Sequence, residues 1–175
     1  MLTIIAVCTF APAQSHAQSA ELKGVTSKLV SLANQRKYSE ALPLAEKAVA
    51  LAKKEFGSKH EKHGKTLGDL AFLYSKLGRH TEAEPLFKRA LTIYPNPLAP
   101  EHPKVGIALN NLALLYRHLG RYAEAEPLYK RAITIREKTQ GLEHPDIAVN
   151  LQNLANINNK QDTNTQQKHT KKTDQ

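Results

Sequence analysis

The chain has 175 residues, 41% of them hydrophobic and 23% charged, and its 25 lysines and arginines against 16 aspartates and glutamates give a net charge of +9. This composition excludes a chain that is disordered throughout, and the shortness of its apolar runs excludes an integral membrane protein. A single cysteine excludes a disulfide framework. Glutamates interrupt the most basic stretch, residues 35–65, which indicates a solvated helix face and not a nucleic-acid stripe.

The first 20 residues are typical of a secretory signal peptide. Residues 2–10 form an apolar run (LTIIAVCTF), and two small-x-small cleavage sites follow it, Ala11-Pro12-Ala13 and Ser15-His16-Ala17. No lysine or arginine precedes the apolar run, which departs from the signal pattern, and a disordered or helix-capping terminus is the alternative. The sequence therefore predicts export to the bacterial periplasm or secretion after cleavage, with a cytoplasmic protein as the second interpretation.

Residues 67–93 and 109–135 are two copies of one sequence. At an offset of 42 residues, 18 of their 27 positions are identical. The same offset carries parts of the pattern back to residues 39–48 and forward to residues 151–155. The chain therefore contains about three and a half copies of one unit.

Each unit predicts two helices. In the third unit Leu109, Leu112, Ala113 and Tyr116 follow the i, i+3, i+4, i+7 spacing of an apolar helix stripe. Gly120 then ends the first helix, because glycine accepts the left-handed conformation of a C-terminal cap.

The second helix of the unit has small apolar residues on one face and charges on the other. Ala125 and Ala132 would let the two helices approach closely, and Glu126 precedes Lys130 in the favourable i,i+4 order. Pro127 lies inside this helix, about one turn past its start, where most of the proline penalty is avoided. The second unit repeats this pattern.

The pattern LxxLAxxY followed by AxxxF/YxxA resembles the tetratricopeptide repeat signature. The 42-residue period, with GRYAEAEPLYKRA and EHPD, is similar to the kinesin-light-chain type of this family. The resemblance covers roughly residues 22–160 and implies an all-α fold, a right-handed superhelix of about three helix–turn–helix repeats plus a terminal helix. The first unit departs from the pattern, since Arg36 replaces the turn glycine.

The sequence also predicts the domain limits. It predicts a signal peptide at 1–20, an array at 21–160 and a disordered polar tail at 161–175, and it divides the array into units of about 22–63, 64–105, 106–147 and a partial 148–160. In the partial unit, Leu151, Leu154 and Ala155 continue the core stripe, but no second helix follows.

The sequence contains no pattern that predicts catalysis, a cofactor or a metal. His60, His102 and His144 recur at the same place in successive units, so they would lie too far apart to share one zinc ion. We expect loop residues at the entry to each first helix instead. Phosphate-binding loops, nucleophile elbows and zinc-protease motifs are absent from the sequence. We therefore expect a protein that is not an enzyme.

In tetratricopeptide proteins the first helices line a concave groove, so the resemblance implies that the residues opposite the core stripe contact a partner. These residues are Lys65, Asp69, Phe72, Lys76, Ile107, Asn110, Asn111, Leu114, Arg117, His118, Asn153 and Asn156. Phe72 and Leu114 would provide apolar contact, unless they pack between neighbouring repeats. Asn111 and Asn153 would hydrogen-bond an extended peptide backbone, and the basic side chains would favour an acidic ligand.

Three functions are consistent with this pattern. The first is a non-catalytic interaction module that holds a partner peptide or protein in the groove. The second is a structural assembly component that stacks through its repeats, which leaves the oligomeric state open. The third is an RNA-binding repeat protein, although the interrupted basic stretch does not favour a nucleic-acid partner.

Overall fold

The computed structural model describes residues 11–94 and 102–173, and the side chains of residues 20–94, 102–160 and 163. This part of the chain consists of seven α-helices and contains no strand. The helices are α1 (Ala11–Asn34), α2 (Tyr38–Phe56), α3 (Glu61–Lys76), α4 (His80–Ile93), α5 (Pro103–His118), α6 (Tyr122–Gln140) and α7 (Pro145–Thr173). The predicted all-α repeat fold is confirmed.

The helices stack as equivalent pairs in sequence order. α1 packs on α2, α3 on α4 and α5 on α6, and consecutive pairs meet where α2 contacts α3, α4 contacts α5 and α6 contacts α7. We call the first three pairs units 1, 2 and 3. Because each pair buries its apolar face against the next, the core runs along the whole stack.

The first helices bury the stripe that the sequence predicts. In α5, Leu109, Leu112, Ala113 and Tyr116 are all buried. Gly120 follows the helix with a φ of +71°, the left-handed conformation expected of a residue just past a helix C-terminus. This arrangement confirms both the stripe and the cap.

The second helices approach the first helices through alanines. Ala83, Ala90, Ala125 and Ala132 have no exposed surface, so no side-chain bulk separates the helix axes there. Pro85 and Pro127 lie inside α4 and α6 without ending them.

The repeated histidines begin the first helices, as the sequence predicts. The Nδ1 atoms of His60 and His102 accept hydrogen bonds from the backbone N–H groups of Lys62 and Lys104, and His144 accepts from Asp146 in the same way. Each ring thereby satisfies one N–H group that the helix itself leaves unpaired.

The last unit differs from the prediction. Leu151 is 50% exposed, Leu154 is half-buried and Ala155 is exposed, whereas Ile147, Asn150 and Ile157 are buried. The reason is that α7 packs only on the preceding unit, because no helix of the described chain lies against its other face. The predicted burial of Leu151 and Ala155 is therefore wrong, although the repeat register is kept, since Ile147, Asn150 and Ile157 stand 42 residues after the buried Val105, Ala108 and Leu115.

The limits of the elements also differ from the predicted ones. The expected unit starts at residues 64, 106 and 148 fall inside α3, α5 and α7. Residues 161–173 continue α7 as helix where a disordered tail is expected, because extending an existing helix costs far less than starting one. Residues 1–10 lie outside the described part, residues 11–20 belong to α1, and the signal peptide stays a prediction.

A search for membrane-crossing helices among the described residues found none that is both long and apolar enough.

Candidate functional site

The first helices form a row of sites along one side of the stack. Between α1 and α3 lies a cavity of about 300 Å³, and between α3 and α5 lies one of about 230 Å³. The two cavities are built from equivalent positions, since Lys23, Thr26 and Lys62 in one stand 42 residues before Lys65, Gly68 and Lys104 in the other. We call them the α1/α3 pocket and the α3/α5 pocket.

The α3/α5 pocket is predominantly apolar. Phe87 of α4 and Tyr94, which directly follows α4, form one wall. Gly68 opens the pocket, because a helix residue without a side chain leaves space above its backbone. The lining residues are Lys65, Gly68, Asp69, Phe72, Phe87, Tyr94, Lys104, Ile107, Ala108 and Asn111. Ile107 is 50% exposed, which leaves this apolar side chain available at the pocket mouth.

Charged pairs border this pocket. Lys65 Nζ lies 2.7 Å from Asp69 Oδ2, and Lys104 forms an ion pair with Glu61. Burial, together with the nearby carboxylate of Asp69, raises the pKa of Tyr94 well above its usual value. The phenol therefore stays neutral, and the deep wall of the pocket carries no charge.

The α1/α3 pocket is basic where the α3/α5 pocket is apolar. Its lining residues are Leu22, Lys23, Thr26, Lys62, Lys65 and Thr66. Lys62 Nζ lies 4.0 Å from the centroid of the Phe56 ring, which holds this cation in place. Thr66 donates its hydroxyl proton to the carbonyl of His63, so the lysines provide the polar contacts still available.

One hydrogen bond between Arg117 and Asn153 joins α5 to α7, and the other asparagines bond within their own helices. Arg117 Nη1 donates to Asn153 Oδ1 at 2.6 Å, Asn110 Nδ2 donates to Asn111 Oδ1 at 3.4 Å, and Asn156 accepts from Gln152. A wide cavity of about 570 Å³ lies beyond, lined by Arg117, Tyr122, Asn156, Asn159, Lys160 and Thr163.

His118 ends α5 beside this region. Desolvation, followed by the charges of Arg117 and Lys76, lowers the pKa of His118. The imidazole is therefore neutral at pH 7 and adds no charge to the groove.

The predicted site residues divide among these regions. The α3/α5 pocket brings together Lys65, Asp69, Phe72, Ile107 and Asn111. Because these five residues lie close together, this pocket is the best-defined part of the predicted groove.

The other predicted residues have different surroundings. Leu114 packs against the buried core cluster between units 2 and 3, and Asn153 is buried against Arg117. Phe72 also packs against core residues and stacks edge-on with Tyr38 at 6.3 Å between ring centroids. Lys76 lies over the Phe72 ring. Phe72 therefore packs between repeats and also lines the α3/α5 pocket.

The sequence analysis missed the floor and the far wall of the α3/α5 pocket. Gly68, Ala108 and Lys104 lie on first helices but beside the chosen stripe, whereas Phe87 belongs to α4 and Tyr94 directly follows it. The repeat itself contained a usable signal, because position 68 is glycine where the next unit has Asn110.

A charged cluster around Glu84 joins the two units at the same junction. Arg121 Nη1 lies 2.6 Å from Glu84 Oε2, Lys88 lies 2.7 Å from Glu84 Oε1, and the Tyr116 hydroxyl donates to Glu84 at 3.0 Å. The bond from Arg121, then the bond from Lys88, lower the pKa of Glu84 to about 2. The cluster joins unit 2 to unit 3 and so fixes the geometry of the α3/α5 pocket.

No three histidine, cysteine, aspartate or glutamate side chains in the described ranges come together in a way that would hold a metal ion. Glu82 and Glu84 bond to different arginines, Arg79 and Arg121. They do not form the facing pair that acid–base catalysis requires.

Comparison with known proteins identifies the repeat. The family model described as "Tetratricopeptide repeat" matches residues 30–96 and 104–165, which is most of the chain. No curated protein matches the chain.

Solved structures show the same fold. A crystal structure of a candidate kinesin light chain from Podosopora anserina with nearly identical TPR-like repeats has 27% identity and a TM-score of 0.70, and the match covers 78% of this chain and 65% of that chain. BtubC (BKLC) from P. vanneervenii has 22% identity and a TM-score of 0.67 over 85% of this chain and 66% of that one. The Sgt2 TPR domain from Aspergillus fumigatus has 19% identity and a TM-score of 0.63, with 83% and 82% covered. This chain thus spans about two thirds of the first two structures.

Proposed function

Because the chain belongs to the tetratricopeptide repeat family, whose members are generally protein-interaction modules, we propose that it binds an extended acidic segment of a partner protein along α1, α3 and α5. The family is typically non-enzymatic, and binding without catalysis is the function proposed here. The single observation that carries the proposal is the α3/α5 pocket.

The size and lining of the α3/α5 pocket favour one bulky apolar side chain of the partner. The volume of about 230 Å³ is below the ~300–1,000 Å³ of typical small-molecule pockets. Phe72, Phe87 and Ile107 offer apolar surface to such a side chain. Burying one would remove apolar surface from water on both partners, which is the main favourable term in association.

The charges beside the pocket favour acidic residues next to that apolar anchor. Lys23, Lys62 and Lys65 line the adjoining α1/α3 pocket, and Arg117 and Lys160 line the cavity beyond α5. Complementary charge steers the partner to the groove and excludes basic segments. An RNA partner is less well supported, because Asp69 and Glu61 pair with the lysines at the pocket rim.

The proposal is tested by closing the pocket with a residue that the chain already uses at the equivalent position. In Gly68→Asn the new side chain would occupy the pocket, and the added Cβ would meet only the Tyr94 hydroxyl, at 3.9 Å. Peptides selected by the wild-type protein from a displayed random library are the probe, and fluorescence anisotropy measures their Kd. We expect selected peptides to combine an apolar and an acidic residue, and Gly68→Asn to weaken their binding at least tenfold.

The matched control is Gly24→Asn in α1, where an added Cβ meets nothing within 4 Å. This variant should bind the same peptides with unchanged Kd, and both variants should keep the wild-type helical circular dichroism. If the selected peptides bind Gly68→Asn as tightly as wild type, or if the library yields no binder, the proposed function is wrong.

A specific observation supports assembly as the second candidate function. Leu142 is 75% exposed and Leu151 is 50% exposed, and both belong to the last part of the array, where a second copy of the chain would cover them. Sedimentation velocity over a hundredfold range of concentration tests this proposal. A monomer at every concentration would exclude it.

We also propose that the chain is exported, on the pattern of residues 1–20 alone. Expression of the full chain in a bacterium, followed by Edman sequencing of the periplasmic protein, tests this. A mature protein that begins between residues 12 and 21 supports export, and a cytoplasmic protein that retains residue 1 contradicts it.

A further inference from the structure

Four buried polar atoms between α5, α6 and α7 have no hydrogen-bond partner within the described part of the chain. They are Asn110 Oδ1, Tyr129 Oη, Asn150 Oδ1 and Asn150 Nδ2. Tyr129 and Asn150 have no exposed surface at all. Polar groups in this condition are strongly destabilising, so native proteins almost always pair them with protein atoms or with internal water.

The repeat places these side chains at positions equivalent to the lining of one cavity. Asn110, Tyr129 and Asn150 stand 42 residues after Gly68, Phe87 and Ala108. Those three earlier residues, one from each of α3, α4 and α5, line the same cavity, the α3/α5 pocket. Because α5, α6 and α7 stack in the same order as α3, α4 and α5, the equivalent residues converge between α5 and α7.

The chemistry of the convergent atoms is balanced. The Tyr129 hydroxyl and the Asn150 amide nitrogen donate, and the two amide oxygens accept. A water molecule offers two donors and two acceptors and typically makes about three hydrogen bonds when buried. An anion would face two amide oxygens, and a cation would face the amide nitrogen, so a neutral molecule fits best.

We propose that Asn110, Tyr129 and Asn150 bind one internal water molecule that joins α5, α6 and α7. Burial raises the pKa of Tyr129 to about 12, which keeps its hydroxyl as a donor throughout the physiological range. The water takes the place that an apolar side chain of a partner takes in the α3/α5 pocket. The polar site therefore helps attach α7 and makes the two inter-unit sites chemically different.

A crystal structure of the full chain, at a resolution that shows ordered water, tests the proposal directly. We expect one water within hydrogen-bonding distance, about 2.7–3.2 Å, of Tyr129 Oη and of an amide atom from each of Asn110 and Asn150. If Asn150 instead bonds directly to the Tyr129 hydroxyl with no water between them, the proposal is wrong.

A solution experiment gives an independent answer. Oxygen-17 relaxation dispersion counts the long-lived waters of a protein. The triple variant Asn110→Gly/Tyr129→Phe/Asn150→Ala copies the residues of the α3/α5 pocket and should lose one such water. The milder single variant Tyr129→Phe should also lose it, and this variant gives the answer if the triple variant does not fold. Tyr38→Phe in α2 is the matched control and should lose none. An unchanged count in Tyr129→Phe would contradict the proposal.

Discussion

The junction between units 2 and 3 and the junction between unit 3 and α7 share a helical framework but differ in what fills it. At the first junction, Gly68, Phe87 and Ala108 leave an apolar cavity of about 230 Å³. At the second, Asn110, Tyr129 and Asn150 place polar atoms at the equivalent positions. A few substitutions in one repeat thus replace an open apolar cavity with buried polar atoms.

The same two junctions differ on their opposite side. Glu84 bonds to Arg121 across the first junction, whereas its equivalent Glu126 pairs only along its own helix with Lys130, because Thr163 stands where Arg121 would recur. Glu84 therefore cross-links the first junction by charge, whereas Glu126 does not do so at the second, where Arg136 of α6 pairs with Asp146 of α7 instead, at 3.3 Å.

The largest predicted effect is the loss of this cross-link. Glu84→Gln should lower the free energy of unfolding at pH 7 by about 1–2 kcal/mol, once solvent screening of the partly exposed carboxylate is included. Because the folded pKa of Glu84 is about 2, below its unfolded value, this stability is present above about pH 4.5 and is lost as the pH falls toward 2. Urea unfolding at several pH values measures it.

Glu126→Gln is the matched control at the second junction. Its exposed i,i+4 pair should contribute only about 0.3–0.5 kcal/mol. If the two variants lose equal stability, the two junctions do not differ in the way described.

A second prediction extends the comparison to the start of the first helices. His63 is buried where the following units have buried Val105 and Ile147. Neither ring nitrogen makes a hydrogen bond of ordinary geometry to the described residues, although the Val49 backbone lies near enough to oppose the loss of the proton. Burial, then the charges of Arg89 and Lys53, lower the pKa of His63. His63→Val should therefore stabilise the protein by about 1 kcal/mol.

The gain in His63→Val should grow at acid pH. The folded pKa of His63 lies below its unfolded value, so the unfolded state takes up the proton first, and wild-type stability is lost as the pH falls through about 6.5. Thermal unfolding of both proteins at pH 7.5 and pH 5.5 measures this difference. An equal pH dependence of the wild-type protein and of His63→Val would contradict the role of burial.

The smallest predicted effect concerns the turn of unit 1. Arg36 has a φ of +59°, whereas Gly78 and Gly120 occupy the equivalent turns with φ of +75° and +71°. A side chain in this conformation is strained, so Arg36→Gly should stabilise the protein by about 0.5–1 kcal/mol. Gln35→Gly, one residue earlier, is the control and should not stabilise. Denaturant midpoints of the two variants separate these outcomes.

The spacing of residues along the chain is enough to predict the repeat and the helical framework that follows from it. Its 42-residue period, the stripe of Leu109, Leu112, Ala113 and Tyr116, and the turn at Gly120 all depend on short-range spacing, which a helix translates directly into a buried face. The histidines that begin the first helices followed from the same spacing.

The contacts between the units, in contrast, depend on how the helices pack against one another. Glu84 meets Arg121 across 37 positions of sequence, and the α3/α5 pocket combines three helices. Leu151 is exposed because no described helix packs against its face of α7. The spacing of apolar residues cannot indicate this. Pockets arise where equivalent side chains are missing or polar. Whether a pocket forms therefore depends on the neighbouring unit more than on the unit itself.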